Sequence, residues 1–222
     1  MTTVGFIGSG RIGGTVARLS VAAGHRVVLS NSRGPETLKD LVDELGPLAR
    51  AATGEQAAAA GEIVVVAIPL RAYRSVPAQP LAGRAVIDAD NYYPQRDGNL
   101  AELDSGSVTS SEMLQRHLAA SHVVKAFNNI YYRHLQSLAR PAGAADRSFL
   151  PIAGDDPGAK QAVTAFLDSI GYGAVDVGWL ADSWRQQPGT PVYGAPYGPF
   201  EQPAGTPASA ETIRAALAAA TR

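Results

Sequence analysis

The residues that most constrain this chain are its first thirteen. Val4-Gly5-Phe6-Ile7 is a short apolar run, and Gly8-Ser9-Gly10-Arg11-Ile12-Gly13 follows at once. A stretch from Thr15 to Ala23 comes next, with Val16, Leu19 and Ala23 spaced to share one helix face. Strand, glycine turn and helix with G-x-G-x-x-G spacing form the pattern of a dinucleotide-binding βαβ unit. Gly8 permits the tight turn, Gly10 removes the Cβ that a pyrophosphate would meet, and Gly13 lets the helix pack on the strand. The helix N-terminus then offers unpaired N–H groups and the positive end of its dipole to phosphates.

The next segment bears on which dinucleotide. His25-Arg26-Val27-Val28-Leu29 reads as a second strand, followed by Ser30-Asn31-Ser32-Arg33-Gly34-Pro35. A unit built for NAD places an Asp or Glu about 20 residues past the glycines, where it accepts hydrogen bonds from the ribose hydroxyls. No acid stands here. Ser30, Asn31, Ser32 and Arg33 supply donors instead, and a guanidinium pairs with a phosphate through two parallel bonds. NADP is therefore the expected nucleotide.

Composition removes several function classes. The chain has 222 residues and no cysteine, so thiol catalysis, disulfides and thiolate metal sites are excluded. Its four histidines show no paired metal-ligand spacing, and no metal is expected. A net charge of −1 supplies no basic field for nucleic acid. The longest apolar run, Ile63 to Ile68, is too short to span a bilayer. The N-terminus runs straight into the first strand, so no leader is expected and the expectation is a cytoplasmic protein.

Strand and helix patterns alternate along the chain. Glu36 to Leu45 has a helical apolar face, ended by Gly46-Pro47, and Leu48 to Thr53 is an alanine-rich third strand. Glu55 to Ala60 reads as a short helix, and Glu62 to Ile68 as a parallel strand buried on both faces and stopped by Pro69. Ala85 to Asp88 is a strand, Ser111 to Ala120 a helix capped by Ser110 or Ser111, and His122 to Phe127 another strand. Asn128 to Leu138 reads as helical. Phe149 to Gly154, Ala159 to Ile170 and Ala174 to Val177 form a further strand–helix–strand unit, and Glu211 to Ala220 a terminal helix. The fold class is α/β: a doubly wound parallel sheet over residues 1–127 and a small C-terminal α/β domain over 128–222. Within the latter, a segment over 184–208 rich in Pro, Gly and aromatics reads as an ordered loop packed on something else.

In such sheets ligands lie beyond the carboxyl ends of the strands. Those ends bring Ala67-Ile68-Pro69, Asp90-Asn91-Tyr92-Tyr93 and Lys125-Ala126-Phe127-Asn128-Asn129 to the cleft that holds the glycine turn. Lys125 is open between a functional ammonium and a structural ion pair, and Asn128 and Asn129 between ligand contacts and helix caps. Tyr92, Tyr93 and His134 read as packing side chains rather than catalytic ones.

The glycine motif, the run Ser30 to Leu38, Val64-Val65-Val66-Ala67-Ile68-Pro69 and Val124-Lys125-Ala126-Phe127-Asn128 together resemble the NADPH:deazaflavin oxidoreductases, whose second cofactor is coenzyme F420. The same domain is similar to the cytosolic domain of the STEAP metalloreductases. The resemblance covers residues 1 to about 178, and the 184–200 loop resembles bacterial members of the group. It implies a Rossmann domain, a small C-terminal domain, a homodimer, and hydride transfer between two stacked rings. Such transfer needs facing rings and excluded water rather than a nucleophile or acid–base dyad. Ser9 and Ile12 would line the nicotinamide side, Ile68 and Pro69 would form a wall, and Asn91 and Asn128 would donate to polar ring edges. Two other readings stay open. One is an NADPH-dependent reductase of a small imine or carbonyl compound, with Lys125, Tyr92 or His134 as proton donor. The other is a non-catalytic NADP-binding redox sensor with the 184–200 loop as its partner surface.

Overall fold

The computed structural model describes residues 1–222. Its strands are β1 (Thr3–Ile7), β2 (Arg26–Ser30), β3 (Ala49–Ala51), β4 (Ile63–Val66), β5 (Ala85–Asp88), β6 (His122–Lys125), β7 (Phe149–Gly154) and β8 (Gly173–Gly178). They form one sheet in the order β3-β2-β1-β4-β5-β6-β7-β8. The first six follow the order of a dinucleotide-binding Rossmann sheet, and all their pairings are parallel. The strand order reverses between β1 and β4, which opens a crevice beyond their carboxyl ends.

Period-two alternation explains why the central strands are apolar throughout. Ile63 and Val65 of β4 face one core and Val64 and Val66 the other, as do Ile87 and Val86 of β5. Helices cover both faces: α1 (Arg11–Ala22), α2 (Lys39–Leu45), α3 (Gly54–Ala60), α4 (Pro94–Asp97), α5 (Ala101–Asp104), α6 (Ser110–His117), α7 (Tyr132–Ser137), α8 (Pro157–Ser169) and α9 (Ala210–Ala218). No helix is long and apolar enough to cross a membrane.

The C-terminal residues add to this sheet. β7 pairs with β6 antiparallel, through Val124 with Gly154 and Lys125 with Ala153, and β8 then runs parallel to β7. The larger core is continuous across the join, from Val4 and Phe6 to Phe127, Val163, Phe166 and Tyr172.

Three local expectations change. The helix over 36–45 is a 3₁₀ turn at Pro35–Leu38 followed by α2, because the proline opens a tighter turn before the α-helix starts at Lys39. α6 is capped by Thr109 rather than by Ser110 or Ser111. Thr109 and Glu112 form a reciprocal capping box, while Ser111 turns its hydroxyl inward to Asp88. The helix over 128–138 starts only at Tyr132. Phe127 has φ +63°, which bends the chain away from a helical path, and residues 128–130 become a buried turn at the head of the cleft.

Candidate functional site

The glycine turn has the geometry of a phosphate cradle. Gly8 adopts φ +99°, and a Cβ on Gly13 would lie 2.1 Å from the Gly8 carbonyl oxygen, so both positions require glycine. A Cβ on Gly10 would meet nothing within 4 Å, which leaves open space in front of the turn. Gly10 caps α1 without any side-chain bond, and no acid stands in the first turn of that helix. An uncapped helix N-terminus facing open space fits an anionic pyrophosphate. A shallow groove of about 860 Å³ leads from Ser9, Gly10 and Arg11 across α1 to Arg133.

The residues after β2 divide into builders and exposed groups. Ser30 is buried and its hydroxyl donates to the Phe6 carbonyl at 2.7 Å, so its expected role as a nucleotide donor is corrected to a structural one. Asn31 shapes the turn: its Oδ1 accepts from the Arg33 N–H at 2.9 Å and its Nδ2 donates to Thr37 at 2.8 Å. Ser32 and Arg33 are exposed at the rim. Ser9 donates its hydroxyl to the Ser30 carbonyl at 2.9 Å, which ties the glycine turn to the end of β2.

A deeper cleft of about 480 Å³ opens beyond the ends of β4, β5 and β6. Ile12, Ala67, Ile68 and Pro69 line one side of it, and Asn91 and Asn128 also reach its wall. Asn128 is nevertheless committed within the protein. Its Nδ2 donates to Gln186 O at 2.7 Å and to Asn91 Oδ1 at 3.1 Å, and its Oδ1 accepts from Gln186 Nε2 at 3.1 Å. Both amide hydrogens are used, so the expected donation from Asn128 to a ring edge is corrected: the residue fixes the wall. Asn91 is half-buried, with its Nδ2 on the Asn128 carbonyl at 2.8 Å.

Lys125 lies behind this wall, not in it. It is 2% exposed, and its ammonium reaches Asp88 Oδ2 at 3.1 Å, Ser110 Oγ at 3.3 Å and the Asp90 carbonyl. The ion pair is therefore structural. Asp90 beside it lines the cleft, and its Oδ1 accepts from the Ile68 N–H at 2.7 Å. Its Oδ2 is buried without a partner. Burial, then the negative charge of Asp88, push the Asp90 carboxyl well above the usual carboxylate range, while the Ile68 N–H and Lys125 act against this. Asp90 thus favours its protonated form more than an exposed carboxyl does, and its Oδ1 anchors the start of the Ile68-Pro69 wall.

The other proton-donor candidates lie elsewhere. The Tyr92 hydroxyl binds Asp104 Oδ1 at 2.6 Å, and the ring faces a separate small pocket beside Trp184. His134 is fully buried, with Nε2 on the Gln202 carbonyl at 2.8 Å. Five aromatic rings, Tyr93, Tyr131, Tyr132, Tyr193 and Phe200, line the cleft with Arg11 and Arg96; the sequence brought Tyr93 and Arg11 there, and the other four rings and Arg96 are the groups it missed. The aromatic and proline-rich composition of the C-terminal loop signalled packing, and the surface it packs on is this cleft. Gly194 N–H donates to the Asn129 carbonyl at 2.8 Å and Asn129 Nδ2 donates to the Val192 carbonyl at 3.0 Å, which dock the loop onto the end of β6.

The profile of the family described as "NADP oxidoreductase coenzyme F420-dependent" matches residues 3–92. The solved structure of a hypothetical protein from Sinorhizobium meliloti is 30% identical, with a TM-score of 0.74, and the match covers 86% of this chain and 93% of that one. The chain belongs to this family of NADP oxidoreductases. An Arthrobacter sp. FB24 protein, provisionally named an F420-dependent NADP-reductase, is 25% identical with a TM-score of 0.68, over 82% of this chain and 87% of that one. The Escherichia coli K12 protein YjhV is 42% identical over 53 residues, 24% of this chain and 39% of its own length. The matched 3–92 region holds the glycine turn and the Ile68-Pro69 wall and stops just before Tyr93. The loop that closes the cleft lies outside it.

Proposed function

We propose that this oxidoreductase transfers a hydride between NADP(H) and a flat deazaflavin- or flavin-like ring held in the cleft. The carrying observation is the cleft itself: apolar and aromatic walls at the strand ends, beside the glycine turn, with its only acid, Asp90, buried. Bound NADPH supplies the hydride. The protein binds, orients and excludes water: the turn and the α1 N-terminus hold the pyrophosphate, and Ser32 and Arg33 receive the 2′-phosphate. Ile12, Ile68 and Pro69 form the nicotinamide side of the cleft, and Asn128 keeps the opposite wall in place. Residues 1–127 carry the nucleotide, and residues 128–222 close the cleft over the acceptor. The family description and the provisional name of the Arthrobacter protein support coenzyme F420 as the acceptor. Two rings need only be held face to face in a dry site for hydride transfer. The working unit is a homodimer in the cytoplasm.

The test is to mix the protein with NADPH or NADH and one acceptor at a time: the 8-hydroxy-5-deazaflavin, FMN or a simple cyclic imine. Loss of the nicotinamide band is expected with NADPH and the deazaflavin, and much less with NADH. Consumption of the imine alone would replace this reading with a small-substrate reductase, and no consumption of any acceptor would leave a nucleotide sensor.

A further inference from the structure

Two phenols meet at the wall of the cleft. Tyr93 follows the end of β5, Tyr193 lies 100 residues further along the chain, and their hydroxyl groups are hydrogen-bonded to each other. Each has its own backbone support. The Tyr93 N–H donates to Asp97 Oδ2 at 3.0 Å, at the start of α4. Tyr193 is bracketed by the two bonds that join Val192 and Gly194 to Asn129, at 3.0 and 2.8 Å. Both side chains are half-buried and line the cleft. Two bonded hydroxyls use one of their two protons between them, so the second remains for another acceptor. The Arg96 guanidinium, paired with Asp97 at 2.8 Å and bonded to the Asn91 carbonyl at 2.6 Å, lies 4.9 Å from the centre of the Tyr93 ring, within cation–π range. Burial, and then the bond to Tyr93, push the Tyr193 phenol up, with the Arg96 charge acting the other way, so Tyr193 stays protonated and either hydroxyl can donate to the other.

We infer that Tyr93 donates the proton that completes reduction of the acceptor, with Tyr193 as its hydrogen-bond partner; this rests on the reading above that the cleft holds the hydride acceptor. The acceptor class is a conjugated C=C–C=N, C=N or C=O system. The C–H bond of the reduced nicotinamide breaks and its hydride forms a C–H bond on the acceptor carbon. The displaced electron pair moves to the acceptor's nitrogen or oxygen, which takes the Tyr93 proton as the phenol O–H bond breaks. Nicotinamide is oxidised and the acceptor is reduced. Tyr193 donates to the phenolate oxygen and Arg96 lies over the ring until water at the cleft mouth returns a proton. In the reverse direction Tyr93 accepts that proton.

The test uses the full chain and its variants Tyr93→Phe and Tyr193→Phe, with NADPH and the oxidised 8-hydroxy-5-deazaflavin. Single-turnover reduction is followed by rapid mixing in H₂O and in D₂O. NADP⁺ affinity is measured by calorimetry, and the melting temperature is recorded for each variant. A positioned acid is worth at least about a hundredfold, so Tyr93→Phe is expected to slow reduction by about that factor and to lose the D₂O effect of the wild type. Tyr193→Phe is expected to slow it less and to keep the D₂O effect. NADP⁺ affinity and melting temperature are expected to stay at wild-type values in both. An active wild type whose Tyr93→Phe variant keeps the rate, or loses rate with the D₂O effect unchanged, overturns the proton-donor assignment alone. A wild type that binds NADP⁺ but does not reduce the deazaflavin overturns the proposed function and this assignment with it.

Discussion

Asp90 shows how a single residue couples the site to pH. Its carboxyl is buried, tied to Ile68 through Oδ1 and pushed upward by burial and by Asp88. The native state therefore holds a proton that the unfolded chain releases once pH passes the ordinary carboxyl value. Stability from this group is full below that value and declines as pH climbs toward the raised native value. Asp90→Asn keeps the acceptor for Ile68 and carries no charge, so it removes this decline. Its melting temperature is expected to gain on the wild type steadily from acidic to mildly alkaline buffer; parallel curves would show that Asp90 is ionised in the folded protein. The sequence placed Asp90, Asn91, Lys125 and Asn128 at the strand ends, because strand boundaries follow from the apolar pattern. It did not reveal which way each polar group bonds. The hydroxyl of Ser30 turns to Phe6, the amide of Asn128 to Gln186 and the ammonium of Lys125 to Asp88, and these partners lie up to 58 residues away in the chain.

At the scale of elements, β1, the glycine turn and α1 are the part most fully legible in advance. Their spacing has local causes, and the geometry bears them out at Gly8 and Gly13. Gly10 and Gly13 are expected to fail differently when given a side chain. Gly10→Val meets open space, so the variant is expected to melt near the wild type yet lose NADPH binding, measured by calorimetry. Gly13→Val drives a side chain into the Gly8 carbonyl at 2.1 Å and is expected to lower the melting temperature itself. Unchanged NADPH affinity in a folded Gly10→Val protein would mean that the turn is not the phosphate site. Strands β5 and β7 match their expected bounds residue for residue, although β7 carries Pro151 in its middle. The helix over 128–138 failed at its start because the αL conformation of Phe127 carries no signature in an aromatic residue. The Thr109 cap was present as a T-x-x-E pattern and was obscured by the two serines that follow it.

For the whole molecule, the alternation of strands and helices specified the Rossmann half, but not the edge on which the C-terminal residues would join. That edge is set by the antiparallel β6–β7 pairing and by a core that spans both parts, contacts between residues distant in sequence. The aromatic cleft is likewise a long-range product: Tyr93 and Tyr131 come from strand ends, Tyr193 and Phe200 from the docked loop, and no local pattern links them. In the proposed function this assembly brings a nicotinamide and an acceptor ring into direct contact. The most direct measurement uses NADPH carrying deuterium at the transferable C4 position with the oxidised deazaflavin in ordinary water, and mass spectrometry of the reduced product. One deuterium is expected to be retained on the acceptor carbon. A product without deuterium, its label lost to water, or no reduced deazaflavin at all, would contradict it.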